Sequence, residues 1–119
     1  MNLEEFREYC LAKLGTSEHT PFDADTLVFK VGDKMFALTG MANYEFVNLK
    51  CNPERAVELR ETYSAIKPGY HMSKVHWNSV YPEELANTKL LKELIDHSYE
   101  LVFNSLTKKL QSQILASES

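Results

Sequence analysis

The sequence predicts a two-layer α+β domain, an antiparallel β-sheet with helices packed on one of its faces. Three observations predict it. Apolar residues recur at helical spacing over residues 2–14, change to a period of two between Glu18 and Cys51, and return to helical spacing after Asn87. Val31-Gly32-Asp33-Lys34 is a tight hairpin signal between two runs rich in β-branched and aromatic residues. Asn52-Pro53 is a strong helix start, a cap followed by proline at the first helical position.

Taken in order, residues 2–14 form the first expected helix. Asn2 and Glu5 have the spacing of a cap and its reciprocal partner. Leu3, Phe6, Cys10 and Leu14 make its apolar stripe, and Gly15 is placed to end it in the left-handed conformation. Residues 18–22 read as a short strand ending near Pro21. Residues 26–31, 34–39 and 44–51 read as three further strands. Strict alternation then sorts two faces. Leu27, Phe29, Val31, Phe36, Leu38, Val47 and Leu49 point to the core. Val28, Lys30, Met35, Ala37, Phe46, Asn48 and Lys50 point the other way, a mixed set that suits an open face.

After Asn52 a short helix should turn Ala56, Val57, Leu59 and Tyr63 inward. Pro68-Gly69 marks a turn. Short extended segments are expected over residues 65–70 and 76–81, joined by a loop at 72–74. Asn87-Thr88 caps a long helix with the stripe Leu91, Leu94, Ile95, Ser98, Val102 and Leu106. That helix is expected to reach about Lys109, where Lys108 and Lys109 would suit the negative end of its dipole. Residues 1–111 are read as one domain and residues 112–119 as a frayed tail.

Bulk properties narrow the function. The chain has 119 residues and a net charge of −4, so any anion binding must come from a local patch rather than from the whole surface. No apolar run approaches the length of a membrane span, and the acidic, amphipathic beginning is not a signal peptide. A cytoplasmic protein that binds no membrane, and is monomeric, is the expectation. Cys10 and Cys51 stand in no metal-ligand or redox motif and read as free thiols. The histidines are scattered: His71 and His76 are five apart, which aligns them on neither a strand nor a helix. No metal and no cofactor is expected. No nucleophile motif or phosphate-binding loop occurs, and the expected protein is not an enzyme.

The stretch Thr62–Tyr81 carries no acid. It holds Lys67, Lys74, His71, His76, three tyrosines and the sole tryptophan, Trp77. Lysines can neutralise phosphate while aromatic rings stack on bases. The bland alternative packs Trp77 and Val80 beneath the last helix and leaves His71 and Lys74 to decorate a loop.

Four segments carry a family resemblance. They are Thr26–Ala37, Val47–Ala56, Lys67–Asn78 and Leu94–Val102. Together they resemble, in order, the first hairpin, the strand-to-helix segment, the most distinctive block and the closing helix of the YjbR-like family, also called MmcQ-like. The resemblance implies a fold similar to the frataxin (CyaY)-like and secretion-chaperone-like two-layer folds. It also implies DNA binding through a double-wing arrangement of hairpins. The positions it points to are Lys67, Tyr70, His71, Lys74, His76 and Trp77, with Lys30 and Lys50 on the open sheet face. The expected function is therefore a non-enzymatic DNA-binding module. The alternative is an adaptor that takes a protein or peptide on the same open face.

Overall fold

The structure, a computed structural model, describes residues 1–117. Helix α1 spans Leu3–Leu11 and is followed by strands β1 (Thr16–His19), β2 (Thr26–Val31), β3 (Lys34–Gly40) and β4 (Val47–Lys50). Helix α2 (Pro53–Thr62), strands β5 (Ile66–Pro68) and β6 (Trp77–Val80), and helices α3 (Pro82–Leu85), α4 (Thr88–Ser105) and α5 (Lys108–Ala116) complete the chain. The strands form one six-stranded sheet in the order β1-β2-β3-β4-β6-β5, with every neighbouring pair antiparallel. Phe6 and Cys10 of α1, Ala56 and Leu59 of α2, the α4 stripe and Ile114 of α5 share one core with Leu27, Phe29, Val31, Phe36, Val47 and Leu49. The helices therefore cover one face of an antiparallel sheet, as the α+β reading expects.

Local chemistry sets the helix starts. Asn2 and Glu5 satisfy each other's backbone amides in a complete capping box. The Asn52 side chain accepts from Glu54 N and Arg55 N ahead of Pro53, and the Asn87 side chain accepts from Leu90 N. Gly15 and Gly32 both have positive φ, +73° and +61°. A methyl group at Gly15 would meet Ile114 Cγ2 at 2.7 Å, and one at Gly32 would meet Leu110 Cδ2 at 3.0 Å. Both turns thus need glycine twice over, for the backbone conformation and for the approach of α5.

Six expectations are corrected. The first strand begins at Thr16 and ends at His19, before Pro21, instead of spanning 18–22. The long helix ends at Ser105, and Thr107 caps a new helix whose Ile114 is buried. Residues 112–116 are therefore helical rather than frayed, while 118 and 119 lie outside the described residues. Lys108 and Lys109 consequently stand in the first turn of α5 and not at the end of the long helix. Val57 is exposed rather than turned inward.

The sixth correction concerns the faces. Phe29 pairs with Ala37 and Lys30 with Met35, so Phe36 has no partner on β2. This bulge points Phe36 and Ala37 to the same side. Both lie in the helix-covered core. Leu38, expected there, is carried to the opposite face. It packs with Val28, Trp77, Met35 and Met72 in a second, smaller apolar cluster.

Candidate functional site

The register sets the uncovered face in three rows. Thr26, Gly40, Phe46 and Tyr81 make the first, with the Phe46 and Tyr81 rings 5.3 Å apart. Val28, Leu38, Asn48, Ser79 and Lys67 make the second. Lys30, Met35, Lys50 and Trp77 make the third. Over the first two rows lies a groove of about 510 Å³, lined by Phe22, Asp25, Thr26, Met35, Leu38, Thr39, Gly40, Asn43, Glu45, Phe46, Asn48, Tyr70, His71 and Met72. Its volume lies in the usual range for a ligand cleft. Phe22 and Tyr70 on its walls are 62% and 57% exposed.

One lip of the groove is the turn at Tyr70 and His71. A buried polar set pins it to the sheet. Ser79 Oγ donates to Asn48 Oδ1 and accepts from Tyr70 N at 2.9 Å, while Asn48 Nδ2 donates to the Tyr70 carbonyl at 3.1 Å. The Tyr70 ring stands edge-on to Phe46 at 5.7 Å and lies 4.0 Å from the His71 ring. His71 has φ +57°, a conformation that few side-chain-bearing residues adopt. The opposite lip is the loop before β2. The Asp23 carboxylate accepts from Asp25 N, Thr26 N and Thr26 Oγ1, and these bonds hold its pKa below the ordinary carboxylate value. Asp25 accepts from Ala42 N at 2.7 Å, which joins this loop to the turn after β3.

The structure gathers part of the sequence-predicted set. Tyr70 and His71 line the groove. Lys30, Lys50 and Lys67 stand on the same face by register, and Lys67 Nζ sits 4.6 Å over the Tyr81 ring. Lys74 is turned back on its own loop, its amine donating to the Gly69 carbonyl at 2.8 Å. His76 is exposed and is absent from the groove lining. Trp77 is 8% exposed and belongs to the smaller apolar cluster. It packs on the face away from the helices, so neither reading of it holds: it is not beneath the last helix with Val80, and it is not free to stack on a base. The groove residues that sequence reasoning missed are Phe22, Asp25, Glu45 and Met72, which come from loops, and Leu38, which the bulge moved. An aromatic residue in the polar loop Pro21–Asp25 was the available signal for Phe22.

Other reactive groups are quiet. Both thiols are buried, and burial pushes Cys10 up to about 12 and raises Cys51. His97 Nε2 accepts from Asn52 N at 3.1 Å. Burial, then the charge of Arg55, lowers its pKa. Asp96 holds Tyr9 and the Lys13 amine, a link between α1 and α4. Among the described residues there is no group of three or more histidine, cysteine, aspartate or glutamate residues that could hold a metal ion. Among them, too, no helix is long and apolar enough to cross a membrane.

Comparison with known proteins places the chain, rather than any one of its faces, in a lineage. The YjbR family model matches residues 11–101. The chain is 42% identical over 95 residues to the uncharacterized protein YbdF of Escherichia coli O157:H7, covering 79% of this chain and 78% of that one. It is 33% identical over 110 residues to the uncharacterized protein YjbR of Escherichia coli strain K12, covering 92% and 93%. The crystal structure of the Deinococcus radiodurans protein DR2400, family-model domain DUF419, superposes with a TM-score of 0.89 at 37% identity. That alignment covers 95% of this chain and 87% of that one.

Proposed function

The chain belongs to the YjbR family, and from that premise we propose that it is a binding module without catalytic chemistry, whose open sheet face holds a segment of another protein. One observation carries the proposal. The groove is apolar along its floor, walled by exposed aromatic rings, and rimmed by the acids Asp25 and Glu45. A nucleic-acid groove presents one sign of charge along its length. Acids at its rim and methionine and leucine on its floor suit a polypeptide better. The buried, high-pKa thiols support the non-enzymatic part, since a thiolate nucleophile needs the opposite environment.

DNA binding is the second reading. The observation favouring it is that Lys30, Lys50 and Lys67 share the open face with Tyr70 and His71. Fluorescence anisotropy separates the two, using a labelled phenylalanine-centred heptapeptide and a labelled short duplex DNA at low and physiological salt. The peptide should bind with little change on adding salt, and Tyr70→Ser and Phe22→Ser should weaken it. Duplex binding tighter than peptide binding, with a log–log salt slope of about −3 for three lysines, would hand the face to DNA.

A further inference from the structure

The three rows of the open face also have a polarity. Asp25 and Glu45 flank the first row, beside Thr26 and Phe46. Lys30 and Lys50 stand in the third. Thr26 and Lys30 are four residues apart on β2, which at the strand rise is roughly 13 Å. Between the two charged ends lie Leu38 and the apolar floor. The acid end comes from loops and the lysine end from the strands' other termini, so the separation is built into the sheet.

Resting on the reading of this face as a protein-binding surface, we propose that the groove selects an extended peptide segment of mixed polarity. An apolar side chain enters the groove against Leu38 and Tyr70. A basic group of the same segment faces Asp25 and Glu45, and an acidic group faces Lys30 and Lys50. A roughly 13 Å gap corresponds to about four residues of extended peptide. Both charge pairs are formed at a solvated rim, so they contribute selectivity more than tight binding. The central side chain supplies the contact that excludes water.

Three labelled heptapeptides with the same central phenylalanine test this by anisotropy: one with acids at one end and bases at the other, one with acids at both ends, and one with bases at both ends. The mixed peptide should bind about fivefold tighter than either single-sign peptide. Replacing its phenylalanine by serine should abolish binding. Glu45→Lys, which leaves that end near neutral beside Asp25, should erase the advantage of the mixed peptide over the doubly acidic one, and Lys30→Glu with Lys50→Glu should move the preference to the doubly basic peptide. Equal binding of all three phenylalanine peptides would overturn the polarity and leave the protein-binding function standing. Undiminished binding of the serine peptide would overturn the groove as the site. Failure of every peptide to bind would overturn both the inference and the function it rests on. Circular dichroism of each variant shows whether a loss reflects unfolding.

Discussion

Ser98 of α4 donates its hydroxyl proton to the carbonyl of Phe36 at 2.6 Å. The Ser98 hydroxyl oxygen itself accepts from the amide of Lys50 at 2.9 Å. Phe36 is the bulge residue, and the recorded β3–β4 pairing stops at Ala37 with Leu49. The serine hydroxyl thus stands where a direct ladder bond between the two strands would otherwise run. A helix supplies the polar group that lets the bulge exist in a buried position.

Ser98→Ala should therefore leave two buried backbone groups without partners. At about 1–3 kcal/mol for each unsatisfied group, the expected loss is about 2–6 kcal/mol. Urea unfolding should show a lower midpoint at unchanged slope. A loss well under about 1 kcal/mol would mean that the strands close on each other once the hydroxyl is gone.

His97 makes stability depend on pH. Its folded pKa lies below the ordinary imidazole value of 6.5, first through burial and then through Arg55. The unfolded chain therefore takes up the proton first as pH falls. Stability from this group is complete above about pH 6.5 and declines as pH falls toward the lower folded value. Protonation also removes the lone pair that accepts from Asn52 N. Denaturant midpoints of the wild type should fall between pH 7.5 and 5, and His97→Gln should flatten that part of the profile.

Gly15→Ala should destabilise by more than about 1 kcal/mol, because a left-handed conformation is disfavoured for alanine and the new methyl meets Ile114. Ile114→Ala removes that neighbour. In a double-mutant cycle the two changes should cost less together than the sum of the singles. Strict additivity would show that α5 does not press on this turn.

Phe29→Ala should cost about 3–5 kcal/mol, as buried aromatic truncations do. Phe29 is fully buried and meets Phe6 edge-on at 5.6 Å. Trp77→Ala should cost a similar amount despite lying on the other face, since it completes the cluster with Val28 and Leu38. Thermal unfolding compares the two. A neutral Trp77→Ala would show that the second cluster adds little to the sheet.

Asn48→Ala should loosen the groove lip. It removes the donor to the Tyr70 carbonyl and the acceptor for Ser79 Oγ, at a cost of about 1–3 kcal/mol. Hydrogen exchange at the Tyr70 amide, which donates to Ser79 Oγ, should accelerate more than exchange in β2. Uniform acceleration would point to global destabilisation instead.

The sequence was legible where chemistry is local. The Asn2–Glu5 box, the Val31–Lys34 hairpin and the Asn52-Pro53 start each depend on residues three or fewer apart, and each is found where expected. The covered face was read correctly for Leu27, Phe29, Val31, Phe36, Val47 and Leu49. It failed at Leu38 and Ala37 because alternation counts residues, and a bulge inserts one. The hydroxyl that permits the bulge is some sixty positions away in sequence, at Ser98, so nothing near Phe36 announces it. Helix α5 was missed because its apolar positions, Leu110 and Ile114, are few and sit in a polar stretch. What makes it a helix worth docking is the pair of side-chain-free turns at Gly15 and Gly32. The groove was half-visible for the same reason: Tyr70 and His71 advertise themselves in an acid-free stretch, while Phe22, Asp25 and Glu45 join them through the sheet alone.

The seating of α5 on Gly15 and Gly32 has a consequence for shortened forms of the chain. All six strands precede Lys108 in the chain, so every strand can be present while this end of the core is still bare. Leu106, Leu110 and Ile114 arrive afterwards and close it. A released chain that ends before Ile114 would carry all six strands with an unplugged apolar end. Apolar surface left bare in that way makes a shortened chain prone to aggregate, and docking of α5 removes that surface.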